Sequence, residues 1–397
     1  MACQDKPGGS DRQVEGKAQT EWHRGFFFSP VCTPNLVKLS LKMRRQTAAP
    51  RPRGRRLFSV FAVLSALLIA AASPSLTGGD SGRSQKKIQK PFFHKNRVTI
   101  AVTDSGLGGL SVLAEAARRM KETGIFEGVD FIFFNALFSN EGGYNSLKTR
   151  QEKIRVLDSA LKSLRDNFRP DIILIGCNTL SVLYKDTTFS KLADIPVFGI
   201  VDAGVEIIAQ GLKDHPEASV LIFGTPTTIS ERTYPGELER LGFAAERIHA
   251  QSCPELESFI ENDPPGDETG MIISGCVSEA VEKLSSPPPP LLISLNCTHY
   301  GYSLPFWEKA FAEAGVRPLA LLNPNSRMTD VLFNPEYTGR YDKTEIRIRA
   351  VSMVEISRPK IDSLAPWLER ISPETAEALR RYEFKPDLFE WKSLIKR

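Results

Sequence analysis

The stretch Arg97–Glu122, RVTIAVTDSGLGGLSVLAEAARRMKE, decides the fold. It opens on a β-branched run (RVTIAVT), passes through a glycine-rich turn (DSGLGG) and closes on LSVLAEAARRMKE, whose apolar residues recur at helical spacing. Strand, tight turn and helix in succession are the unit from which α/β layers are built. The unit recurs along the chain. Strands are expected at Val129–Phe134, Ile172–Ile175, Ile195–Ile200, Val220–Phe223, Met271–Ser274 and Leu291–Leu295, with helices such as Arg150–Asn167 and Val201–Leu212 between them. Beyond about Ala320 the alternation thins, although Ile361–Arg381 still reads as helical. The pattern predicts α/β layers with a mostly parallel sheet. Ligands of such sheets sit beyond the C-terminal ends of strands, where DSGLGG, GCNT, GTPTT and NCTH all fall.

Two cysteines end matching apolar runs, Cys177 in DIILIGCNT and Cys297 in LLISLNCTHY, and each is followed within two residues by Thr. A lone buried cysteine is usually a small hydrophobe. A cysteine just ahead of a helix N-terminus is different, because the free N–H groups and the helix dipole favour thiolate. Two thiols so placed suit a chemistry that needs an acid and a base on opposite sides of one carbon. Cys297 also has His299 two residues on, which leaves a thiol protease or acyl transferase open, but one nucleophile would leave Cys177 unexplained. Zinc fits poorly, since Cys177, Cys297 and His299 lack close paired spacing. Cys253 and Cys276 read as structural, Cys276 just past a strand and Cys253 in a loop. In DSGLGG the glycines allow close backbone approach, and the N–H groups of the turn could hold a carboxylate. The turn is no dinucleotide fingerprint, because Ser111 stands at the sixth position, and the Gly-Lys-Ser/Thr of a phosphate loop is missing. A plain glycine turn is the alternative; Asp104 and Ser105 at the strand end favour function.

In order and separation, DSGLGGLSVL, GCNT, GTPTT, QSCPELESFIE and NCTHY resemble the cofactor-independent aspartate/glutamate racemase family, and within it the glutamate branch. The likeness covers about residues 98–335. It implies two similar three-layer α/β domains with mostly parallel sheets and an active-site cleft between them. Residues 97–197 and 300–397 would form the first domain and 198–299 the second. It also implies stereoinversion by two bases, without pyridoxal phosphate or any other cofactor, and without a metal. Cys177 and Cys297 would be the acid/base pair, assisted by Asp104 and His299. Ser105, Asn178, Thr179 and Thr298 would hold the carboxylate and amino groups of a small amino-acid substrate. The family's Pro-Tyr-Gly substrate loop has no clean match; the nearest segment is NEGGYNS at Asn140–Ser146, so Tyr144 and Asn145 are the candidates there. Asn296 before the second cysteine, Gly301 after THY and Asp202-Ala203 also depart from the family pattern. These departures leave L- and D-glutamate as the leading substrate pair and aspartate or another small amino acid as the alternative. A periplasmic amino-acid binding protein and a decarboxylase are further alternatives, against which the retention of both thiols counts.

The formal charge of +4 averages two unlike regions: residues 1–97 carry 18 Lys+Arg against 5 Asp+Glu, so the remainder sits at −9. An acidic body without a clustered basic face excludes a nucleic-acid partner. Residues 1–56 read as a non-native or disordered extension, with Met43 as the expected start. The run LFSVFAVLSALLIAAA (Leu57–Ala72) follows RPRGRR and is short for a membrane span, so residues 57–73 read as a signal peptide h-region or anchor, and 74–96 as a linker. The expectation is an exported or membrane-anchored, periplasmic protein if that segment is a true signal, and a cytoplasmic one otherwise. Membrane contact is expected through residues 57–72 only, and a homodimer is left open.

Overall fold

β1 (Arg97–Asp104) continues one residue beyond the run read from sequence and lies inside a parallel sheet. The computed structural model describes residues 90–286 and 288–395, which fall in one compact unit. The expected extension, signal segment and most of the linker lie outside the described residues, as do Cys3, Cys32, Met43 and Pro287. Among the described residues no helix is long and apolar enough to cross a membrane.

Among the described residues ten strands follow in chain order: β1, β2 (Gly128–Asn135), β3 (Ile172–Ile175), β4 (Val197–Gly199), β5 (Ser219–Gly224), β6 (Ile248–Ser252), β7 (Leu291–Asn296), β8 (Ala320–Leu322), β9 (Glu345–Ser352) and β10 (Glu383–Phe384). They form a six-stranded sheet of order β10-β9-β2-β1-β3-β4 and a four-stranded sheet of order β6-β5-β7-β8. Every strand pair is parallel. The order β2-β1-β3-β4 in one sheet is the order β6-β5-β7-β8 in the other, so the two lobes share one topology. Both sheets are covered on both faces. Along β1, Ile100 and Val102 enter one core and Ala101 the other; along β5, Leu221 and Phe223 part from Val220 and Ile222 in the same way. Burial on two faces is why these strands read as unbroken apolar runs rather than alternating ones.

Three expectations are corrected. Met271–Ser274 is no strand but part of the helix Asp267–Glu282. Its buried positions Thr269, Gly270, Ile273, Cys276, Val277 and Ala280 are three or four apart, and Met271 is exposed, whereas a short apolar run alone fits either period. Cys276 therefore sits within a helix. The strand expected at Ile195–Ile200 shrinks to β4, because a helix already begins at Ile200. Finally, the second lobe does not end near residue 300. β8 pairs with β7, so the chain returns to the first sheet only after Leu322, where β9 adds to the free edge of β2. β9 escaped notice because its outer residues Glu345, Arg347 and Arg349 alternate with apolar ones, and β8 because it is three residues long.

Candidate active site

Each lobe has one point where the strand order reverses. The chain steps from β1 outward to β2, then returns to lay β3 on the other side of β1; β5, β6 and β7 repeat the manoeuvre. Turns leaving the two central strands diverge there and open a crevice. Cys177 follows β3 and Cys297 follows β7, so both thiols stand at equivalent reversal points, one per lobe. Cys177 is also the N-cap of the helix Asn178–Tyr184. Both are free thiols, and they are shut from solvent at 4% and 6% exposure.

The first turn joins the two. Ser105 Oγ lies 3.2 Å from Cys177 Sγ, and Asp104 abuts the same thiol. Asp104 Oδ2 accepts the Thr298 hydroxyl at 2.7 Å, so the carboxylate beside one cysteine is tied to the neighbour of the other. His299 Nδ1 lies 3.5 Å from Cys297 Sγ, while its Nε2 is 2.8 Å from Glu261 Oε1. Glu261 also accepts the Leu107 N–H at 2.6 Å and Lys360 Nζ at 2.7 Å, both in the first lobe. The glycine turn thus does hold a carboxylate, the protein's own. Its glycines are demanded by the opposite lobe: a Cβ on Gly106 would lie 2.6 Å from Glu261 Oε1, and one on Gly108 would lie 2.4 Å from Thr298 Oγ1.

The electrostatics of the two thiols differ. Burial, and then the charge of Asp104, push Cys177 well above the usual thiol range, against hydrogen bonds from Ser105. Burial raises Cys297 as well, but the hydrogen bond and charge of His299 pull it back. Burial raises Asp104, opposed by the His299 charge and the Thr298 hydroxyl. Burial works against an imidazolium at His299, yet Cys297 and Glu261 together outweigh it and hold this residue well above its ordinary value. As an imidazolium, His299 donates from both ring nitrogens. Glu261 is held down to about 2: burial opposes its charge, but His299 and Lys360 prevail.

Of the remaining expected site residues, Asn178, Thr179 and Asn145 fasten the lobes together. Thr179 Oγ1 lies 2.8 Å from Thr225 Oγ1, and Asn178 Oδ1 accepts the Tyr234 hydroxyl. Asn145 donates to Glu257 at 3.1 Å and accepts from the Thr227 hydroxyl at 2.7 Å, which in turn takes a hydrogen bond from Lys153. Tyr144 is buried at the start of a short turn, with its ring edge-on to Phe138. Two surface grooves of about 460 and 470 Å³ contain none of these residues. They border β9 and β10, where charged groups such as Arg349 and Glu383 are already paired.

Comparison with known proteins agrees with this geometry. The model of the Asp/Glu/hydantoin racemase family matches residues 107–286. A glutamate racemase from Sulfurihydrogenibium sp. is 30% identical over 201 residues, which are 51% of this chain and 70% of that protein. The chain belongs to the Asp/Glu/hydantoin racemase family. It is a racemase-like isomerase. Another member of the family, the glutamate racemase of Cereibacter sphaeroides, is 28% identical over 261 residues, 62% of this chain and 89% of its own length. Among solved structures, a glutamate racemase isoform from Bacillus anthracis superposes with a TM-score of 0.53 at 22% identity, over 70% of this chain and 96% of that one. The Francisella tularensis glutamate racemase in complex with D-glutamate gives 0.52 at 21%, over 73% and 95%. These two establish the shared two-lobed fold.

Reading the sequence missed Glu257, Glu261, Lys360, Thr225, Thr227, Tyr234 and Lys153. One signal was present: in PELESFIE the second and third glutamates, Glu257 and Glu261, are four apart, on one face of a helix whose partner the sequence does not name. The ion pair has a consequence for stability. Because Glu261 falls from 4.5 in the unfolded chain to about 2, its contribution is complete above about pH 4.5 and is lost as pH falls toward about 2. The size is about 3 kcal/mol, and the raised His299 reports the same interaction, so it is counted once. Urea unfolding at pH 5 and at pH 3 should therefore show a smaller loss for Glu261→Gln than for the wild type. Equal losses would refute this account.

Proposed function

We propose that this protein interconverts the L and D forms of a glutamate-sized amino acid by moving the α-proton between Cys177 and Cys297. The observation that carries the reading is the pairing itself: two buried thiols at topologically equivalent positions, joined through Asp104 and Thr298. In this scheme one thiolate breaks the Cα–H bond and becomes a thiol, while the opposite thiol gives its proton to the other face of the carbon. Cys297 is the readier thiolate, since His299 stands against it, and Cys177 beside Asp104 is the readier thiol. After one turnover the two have exchanged roles, and the return reaction restores them. Asp104 and His299 receive and return protons at the thiols. The α-carboxylate needs donors, which Ser105, Asn178 and the start of the helix Asn178–Tyr184 offer; Tyr144, Asn145, Thr179 and Thr298 close the site around the substrate. An α-proton is a weak acid, and a site shut from water with aimed donors is what carbanion character requires.

The relatives carry the name glutamate racemase, which makes D- and L-glutamate the reference pair and supply of D-glutamate for peptidoglycan the role that would follow. Incubating the protein with single L-amino acids in D₂O tests the reading. Deuterium should enter the α-position as the circular dichroism of the substrate decays to zero. Absence of exchange across the proteinogenic amino acids would overturn it.

A further inference from the structure

Glu257 is a part-buried acid, one of its oxygens fully enclosed, that the proton-transfer scheme leaves unused. It lies one helical turn before Glu261 on the helix Leu256–Asn262. Glu261 is fully matched, by His299, Leu107 and Lys360. Glu257 is not. Its Oε1 accepts one hydrogen bond, from Asn145, and its Oε2 is buried without a donor among the described residues. The position is close to the chemistry: burial pushes the Glu257 carboxyl above its ordinary range, its own backbone N–H and the His299 charge oppose that, and its charge in turn acts on Cys297. A buried carboxylate oxygen without a donor is destabilising, so such a group persists where something else supplies the hydrogen.

Besides Asn296 and the Tyr300 hydroxyl, which flank Cys297, four unmatched polar atoms stand around the thiols and sort by sign. Donors are the Tyr144 hydroxyl and Asn178 Nδ2; acceptors are Asp104 Oδ1 and Glu257 Oε2. Tyr144 and Asn178 lie on the Cys177 side, where the Cys177 charge reaches Tyr144, and their hydrogens suit the α-carboxylate of an amino acid. Asp104, between the thiols, suits its α-ammonium. Glu257 is then left for the far end of the side chain, with Asn145 beside it. A second carboxylate brought against Glu257 would force one of the two to take up a proton, whereas an N–H group would complete its hydrogen bonding.

We propose that Glu257 reads the end of the substrate side chain and selects an amino acid ending in an N–H donor, an amide or an ammonium, over one ending in a carboxylate. The inference rests on the racemase reading and narrows its substrate. Glutamine and glutamate are the informative pair, because they differ only in the terminal group; ornithine supplies the cation. Rates of α-deuterium incorporation from L-glutamine, L-ornithine and L-glutamate give kcat/KM for the wild type and for Glu257→Gln, which keeps the acceptor for Asn145 and removes the charge. The wild type should favour glutamine or ornithine over glutamate by at least about 10-fold, a modest share of what a site built around a hydrogen bond can discriminate. In Glu257→Gln that ratio should move toward glutamate by about 10-fold, with ornithine losing most. Thermal unfolding of the variant confirms that it is folded, and the wild-type ranking needs no variant. Glutamate as the preferred substrate of the wild type, or an unchanged ratio in a folded Glu257→Gln, overturns the assignment of Glu257 and leaves the racemase reading standing. No exchange from any of the three, nor from other amino acids, removes both.

Discussion

Cys177→Ala and Cys297→Ala are each expected to abolish racemisation, lowering kcat by at least about 10³-fold, within the usual reach of a general acid or base. Each thiol serves one face of the α-carbon, so a single survivor removes or returns a proton on that face alone and cannot invert the centre. The losses should not add: the double variant should be about as slow as either single one, because the two groups act as a unit. Their environments make the two variants distinguishable in another way. Cys297 is paired with His299 and Cys177 with Asp104. The enantiomer whose α-proton faces the surviving thiol should still exchange it slowly with D₂O without inversion, and the preferred enantiomer should switch between the two variants. Optical rotation followed alongside deuterium uptake measures both. Retention of racemisation within 10-fold of wild type in either variant would end the two-thiol scheme, and leave a fold that binds or acts by other groups.

Gly108→Ala is expected to damage the site almost as severely without touching a thiol. Gly108 has φ −61 and ψ −36, an ordinary right-handed conformation, so the backbone does not require glycine there. Space does. A methyl group would lie 2.4 Å from Thr298 Oγ1, 2.7 Å from His299 Nδ1 and 2.8 Å from the His299 backbone nitrogen. A hydroxyl could rotate aside, but a backbone nitrogen cannot, and the segment that must move is the one carrying Cys297. Overpacking of this kind costs about 1–3 kcal/mol, and a shift of about 1 Å in a catalytic group costs about 100-fold in rate. The expected result is a folded protein with Tm lowered by several degrees and kcat reduced by about 100-fold. Gly236→Ala serves as the control, since nothing lies within 4 Å of its added methyl. Wild-type kcat in Gly108→Ala would show that the lobes do not interlock through this turn.

The legible part of the site was the part carried by strand ends. Asp104 ends an apolar strand, and Ser105, Cys177, Thr298 and His299 each follow one closely; such a run identifies itself because both faces of its sheet are covered. Met271–Ser274 shows the limit of the same reasoning, because four apolar residues hold too little of either period to choose between strand and helix. β9 shows the opposite limit: half of its side chains face outward, so it looked polar, and its place depends on the free edge of β2.

The sequence by itself determined that strands and helices alternate, that the strands run parallel, and that two cysteines end strands in equivalent settings. These follow from local periodicity and from turn chemistry, which act over a few residues. Only the tertiary structure decided what stands against each thiol. His299 meets Glu261 across 38 positions, Glu261 meets Lys360 across 99, and Asp104 meets Thr298 across 194. The charge of a buried group depends on such partners, because burial alone pushes each acid and thiol toward its neutral form and only a neighbour brought by folding pushes back. The same reason explains Glu257: as a residue in a sequence it is one more acid on a helix, and only enclosure beside Asn145, with one oxygen unmatched, gives it something to recognise.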